Sequence, residues 1–189
     1  MARKPFGYEA AKEILEGPIQ ATIEKMSGTE FSQTSEFSEH ELIEYNSRMR
    51  VFGLEKFNEP CKLSLINYYE SEEAKKQQNS LGAIIVFIEE FSVEKALKNF
   101  GFQGIKEDAD EVIEEAFNDL CKTCAESLKG ELSNRGYVGL VMSEPKMYKN
   151  DIPEGIEFCW DENKYYDIAF YFWKQKAVVV TLTMGSNNK

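Results

Sequence analysis

Asp108 to Lys129 reads DADEVIEEAFNDLCKTCAESLK. Its apolar residues, Ala109, Val112, Ile113, Ala116, Phe117, Leu120, Cys121, Cys124, Ala125 and Leu128, recur at alternating spacings of three and one. On a helix of 3.6 residues per turn that rhythm gathers them into one continuous stripe. Glu107 and Asp108 place carboxylates at the positive amino end of such a helix, so a single helix is expected from there to about Lys129, with its stripe buried against a sheet. The opposite face carries Glu115, Asn118, Asp119, Lys122, Glu126 and Lys129. Pairs such as Lys122 with Glu126 and Glu126 with Lys129 make this face explicable as ordinary solvated surface.

Outward from the helix, Lys62 to Tyr69 and Leu81 to Phe91 are rich in β-branched and aromatic residues, and the polar run Glu70 to Ser80 reads as their hairpin connection. Ser92 is placed to cap a short helix from Val93 to Asn99, closed by Gly101. Beyond the long helix, Tyr137 to Met142, Ile156 to Trp160, Tyr165 to Trp173 and Ala177 to Met184 are strand-like. At the amino end, Tyr8 to Met26 reads as two helical pieces that meet at Gly17-Pro18, the second ended by Ser27-Gly28. Residues 29–59 read as a polar insertion, with Arg48 to Phe52 a possible short strand. The expected architecture is α+β: one domain over 1–189, residues 1–15 a helical extension, with long helices on one face of a mainly antiparallel sheet.

The chain carries 33 acidic and 22 basic residues, a formal net charge of -11, which repels phosphate backbones and anionic lipid surfaces alike. Nucleic acid and membrane are therefore poor partners. No run approaches the ~20 apolar residues of a spanning helix, and Met1 to Gly17 has no apolar signal core, so a cytoplasmic location is expected. Of the cysteines Cys61, Cys121, Cys124 and Cys159, the Cys121-x-x-Cys124 pair lies on the apolar face and reads as buried thiols rather than a redox or zinc pair. His40 is the single histidine, which argues against a His-rich metal site and a Ser-His-Asp triad in its usual form.

Several stretches, in order, resemble the CheC/CheX/FliY chemotaxis phosphatase family, and its CheX group in particular. Gly17-Pro18-Ile19-Gln20-Ala21-Thr22 with Met26-Ser27-Gly28 is similar to the family's opening helix, and Leu81-Gly82-Ala83-Ile84-Ile85-Val86-Phe87 to its Gly-containing second strand. Met142-Ser143-Glu144-Pro145-Lys146-Met147 is similar to the Ser-x-Pro segment after its long helix. The likeness covers most of 16–184 and leaves out the insertion. It implies a Glu-x-x-Asn motif on the long helix, whose acid pairs with a lysine of a phosphorylated response regulator and whose amide orients water onto the aspartyl phosphate.

Laying that motif with Lys129 as the family's trailing lysine puts Asp119 at the acid, Lys122 at the amide and Glu126 at the glycine. An ammonium has donors and no acceptor, so Lys122 cannot hold water as a carboxamide does, though it can attract a phosphoryl group. One turn earlier, Glu115-x-x-Asn118 has the right letters but loses the downstream match. The first register is preferred. It implies a domain that docks a phosphorylated CheY-like receiver with weak or no phosphatase activity. The second implies an active aspartyl-phosphate phosphatase helped by the partner's metal ion, with no cofactor of its own. A third reading is a structural or dimerising domain without a receiver partner. The aromatic run Tyr165 to Trp173 asks for cover, and the resemblance implies a homodimer through sheet edges.

Overall fold

The computed structural model describes residues 6–30, 35–42, 44–45, 48–49, 54–105, 110–149 and 164–185. The chain enters through α1 (Tyr8–Ile14), passes a π-helical turn at Leu15–Ile19, and continues as α2 (Gln20–Ser27). The proline does not split the helix as its sequence suggests. Pro18 lacks an N–H and its ring crowds the carbonyl four residues back, and a widened turn absorbs both without ending the run. Gly28, at φ +65°, closes α2 in the left-handed conformation that glycine adopts freely.

Next come β1 (Glu36–Glu41), the two-residue strands β2 (Glu44–Tyr45) and β3 (Arg48–Met49), and α3 (Leu54–Phe57). Then follow β4 (Cys61–Tyr69), α4 (Glu72–Lys76), β5 (Gly82–Glu89) and α5 (Val93–Asn99). The chain continues through α6 (Asp110–Asn134), β6 (Val141–Met142), β7 (Lys146–Lys149), β8 (Lys164–Phe172) and β9 (Gln175–Met184). The main sheet runs β1-β8-β9-β5-β4-β6, with β7 also on β4, and every pairing in it is antiparallel.

Alternation along the strands sends Ile66, Tyr68, Ile84, Val86, Ile168, Phe170, Val178 and Val180 toward the helices, where they meet Ile14, Ile19, Ile23, Phe117, Leu120 and Leu128. The other face holds a second buried cluster of Cys61, Leu63, Leu65, Ala83, Ile85, Phe87, Tyr165, Ala169 and Val179, with Leu42, Phe57 and Tyr148 packed against it. The fold is thus α+β, with helices on one face and a thinner cover of the chain's own residues on the other.

Several readings change. Residues 36–41 of the supposed insertion form β1 and cover the edge of β8; Tyr165, Tyr166 and Phe170 are buried, Tyr171 and Phe172 half-buried, and Trp173 beyond them exposed. The Glu70–Ser80 connection contains α4, capped by Ser71, whose Oγ accepts from Ala74 N at 3.1 Å. Ser92 does not cap α5; its hydroxyl donates to Glu89 instead. Tyr137–Leu140 is not a strand, and pairing begins at Val141. α6 runs past Gly130 to Asn134 because Leu132 extends the buried stripe by another turn. Val112 is exposed rather than buried. The expected strand at Ile156–Trp160, the first residues expected in the long helix, Cys159, and residues 50–52 lie outside the described residues.

Candidate functional site

Three contacts set α6 against β4. Lys62 Nζ approaches Asp110 Oδ1 at 3.3 Å, Ser64 Oγ donates to Asn118 Oδ1 at 2.7 Å, and Tyr68 Oη donates to the Ala125 carbonyl at 3.0 Å. The helix therefore advances along β4 in the same direction as the strand. The 143–146 segment lies on the sheet edge at the level of Leu65 to Asn67: Ser143 N donates to Asn67 O at 2.9 Å, Asn67 N donates to Ser143 Oγ at 3.0 Å, and Lys146 is registered against Leu65. Pro145 has no N–H for a ladder bond and sits in the gap between β6 and β7. That level matches the part of α6 between Asn118 and Ala125, the turn that carries Lys122.

The sequence candidates divide on this helix. Glu115, Asp119, Lys122 and Glu126 are exposed and share one ridge, headed by the exposed Val112. Asn118 is not on that open face. It is half-buried in the seam between α6 and β4, with its oxygen accepting from the fully buried Ser64. The spacing that places Glu115 and Asn118 a turn apart is real, but Glu115 looks outward while the amide looks toward the sheet. Asp119 and Lys122 stand in the open together, and Glu126 pairs with Lys129 at 3.0 Å. Acidic groups dominate the ridge, which suits a basic surface on a partner.

Cys121 and Cys124 are fully buried. Burial pushes the Cys121 thiol up to about 12 and Cys124 higher still, which makes both poor nucleophiles near neutrality. Cys121 Sγ donates to the Ser64 carbonyl at 3.4 Å, a packing role.

The lone histidine has partners that sequence spacing does not indicate. His40 Nε2 lies 2.9 Å from Ser38 Oγ and 3.3 Å from Asp167 Oδ2. Both contacts converge on the same ring nitrogen, so the three residues cannot pass a proton through the two nitrogens of the ring as a Ser-His-Asp triad does. Among the described residues no group of three His, Cys, Asp or Glu is placed to hold a metal ion.

The arrangement of a long helix beside β4 on a seven-stranded antiparallel sheet is shared with solved structures. A chain of the CheX–CheY–BeF3–Mg2+ complex from Borrelia burgdorferi matches with a TM-score of 0.60, at 12% identity, over 93% of this chain and 97% of that one. It is the CheC/CheX/FliY fold. A CheC-like superfamily protein from Shewanella sp. PV-4 matches at TM-score 0.58 and 13% identity, over 94% and 99% of the two chains. FliY from Thermotoga maritima matches at 0.54 and 15%, over 97% and 92%. No protein-family model and no curated protein matches the sequence. The chain thus shares the CheX-type fold at low sequence identity, and none of the described helices is long and apolar enough to cross a membrane.

Proposed function

We propose that this chain docks a phosphorylated CheY-like receiver domain on the exposed ridge of α6, in the cytoplasm, and has weak or no phosphatase activity. One observation carries the reading: Lys122 stands open beside Asp119, while the nearby amide, Asn118, is engaged by Ser64. Water attacking a phosphoryl group needs an acceptor to orient it, and an ammonium supplies none. The same ammonium attracts the phosphoryl charge, so binding can outlive catalysis. A chain of a CheX–CheY complex shares this fold, which supports a CheY-like partner.

The test uses a panel of receivers, loaded with beryllofluoride for binding and with acetyl phosphate for phosphate release. The wild type should bind a loaded receiver and accelerate its dephosphorylation little. Lys122→Asn with Asp119→Glu should raise the rate by ~100-fold, the contribution of one well-placed water-orienting group. If the working pair is Glu115 with Asn118, the wild type is already active and removing the Asn118 amide abolishes turnover. Asn118→Ala alone would strand the buried Ser64 hydroxyl at a cost of about 1–3 kcal/mol, so Ser64→Ala with Asn118→Ala is the cleaner variant. Failure of every variant to bind any receiver would leave a structural domain.

A further inference from the structure

Lys62, Ser64, Ile66 and Tyr68 alternate along β4 onto the face that meets α6. Ser64 is fully buried there, and a buried hydroxyl costs free energy unless it is hydrogen-bonded. Among the described residues its hydroxyl makes one hydrogen bond, the 2.7 Å donation to Asn118 Oδ1. An alanine at this position would carry no such cost. What the hydroxyl adds is a fixed direction for the Asn118 amide.

The two partners differ in how far they can move. β4 is paired on both sides at Ser64, to Val86 of β5 and Met147 of β7, so the hydroxyl is held inside the sheet and cannot follow the amide outward. Asn118 is half-buried at the margin of α6, with the exposed Glu115 a turn before it and the exposed Lys122 a turn after. Around the helix axis Asn118 stands about 60° from Glu115 and about 40° from Lys122. A helical side chain has two ordinary χ1 settings, about 180° and about −60°, and exchange between them redirects the amide while the backbone stays still. The atom that Ser64 engages is the amide oxygen, the acceptor by which a carboxamide holds an attacking water, and the Lys122 ammonium supplies no substitute for it.

We propose that Ser64 is a positioning residue that silences the α6 ridge: its hydroxyl holds the Asn118 amide in the seam with β4, and release of that bond supplies a water-orienting oxygen beside Glu115. The proposal rests on the reading that this ridge docks a phosphorylated receiver. In the released state, water held by the amide oxygen attacks phosphorus, and a new P–O bond forms as the acyl-phosphate P–O bond breaks. The receiver's aspartate leaves as carboxylate, and both water protons end on the inorganic phosphate. Stranding the buried hydroxyl disfavours the released state by roughly 5- to 150-fold, which sets how much activity is held back.

The test takes the full-length chain and measures binding to beryllofluoride-loaded receivers and phosphate release from acetyl-phosphate-loaded ones. Ser64→Ala should bind with unchanged affinity and raise phosphate release by about fivefold or more. Adding Asn118→Ala should cancel that gain, and Ser64→Thr, which restores the hydroxyl, should return the rate to that of the wild type. A further readout needs no receiver: side-chain NMR of Asn118 should report one χ1 rotamer in the wild type and averaging between two in Ser64→Ala. Receiver binding with no gain in Ser64→Ala, a gain that survives Asn118→Ala, or a single unchanged rotamer in Ser64→Ala would each overturn the proposal. Binding of no loaded receiver by any variant would instead overturn the docking reading, and the silencing role would fall with it.

Discussion

Asp167 is 5% exposed, on the sheet face away from the helices. Its Oδ2 meets Lys56 Nζ at 2.5 Å, and its Oδ1 accepts from Thr181 Oγ1 at 2.5 Å. Burial alone would raise its pKa, but the hydrogen bond from His40, the charge and hydrogen bond of Lys56 and the Thr181 hydroxyl outweigh it and hold the carboxyl below its ordinary value. A depressed carboxylate stabilises the fold at pH above its unfolded pKa of ~3.9, and that stability is lost as pH falls through the folded value. Asp167→Asn leaves Lys56 charged and unpaired in a buried site, at a cost of about 3 kcal/mol. Urea melts at pH 7 should show that loss, with the gap between wild type and variant narrowing on acidification; a gap under 1 kcal/mol would mean the pair is idle. Cys121 and Cys124 should be alkylated in the native state far more slowly than in urea, as peptide mass mapping would show, since burial disfavours both access and ionisation.

At the scale of elements, β5 and β9 touch where glycine is required. A Cβ on Gly82 would lie 2.4 Å from the Thr183 carbonyl oxygen and 2.5 Å from Met184 Sδ. The sulfur can move, but the backbone oxygen belongs to a paired strand. Gly82→Ala should therefore destabilise by about 1–3 kcal/mol, and an unchanged urea midpoint would contradict the packing of β5 on β9. The same closeness explains why Leu81 to Phe87 carries its one glycine at the strand start. In α6 the apolar period was legible in sequence over its length, yet its end was not, because Gly130 resembles a stop and only the burial of Leu132 shows that the helix continues. β1 left no comparable signal. It is held to β8 by backbone pairing, by Phe37 on Tyr166 and His40 on Tyr165, and by contacts of Glu36 with Tyr171 and Glu39 with Lys164, and a single large apolar residue in a strand of mostly charged ones makes no apolar rhythm.

For the whole molecule, both edges of β8 are paired within the chain, by β1 and β9, so that strand offers no edge to a second subunit. The β1 edge carries Glu36, Glu39 and Glu41, and the β7 strand on the opposite edge carries Lys146 and Lys149. A two-fold pairing of either edge with itself opposes like charges. Light scattering at micromolar concentration should therefore return about the chain mass of 21.7 kDa rather than twice that value, which would point to an interface outside these edges.

By itself the sequence determined the α+β class, the long helix with its buried cysteines, and the strands β4, β5, β8 and β9. Each of these is written as a local periodicity of 3.6 or 2, because burial of one face leaves its mark on neighbours in the chain. It also narrowed the candidate residues on α6 to Glu115, Asn118, Asp119 and Lys122. The tertiary structure alone turned Asn118 toward Ser64, 54 residues away, and left Lys122 open. It alone joined His40 and Lys56 to Asp167. Such pairings are made between single side chains far apart in the chain, and a contact of that kind imposes no repeat on the residues around it.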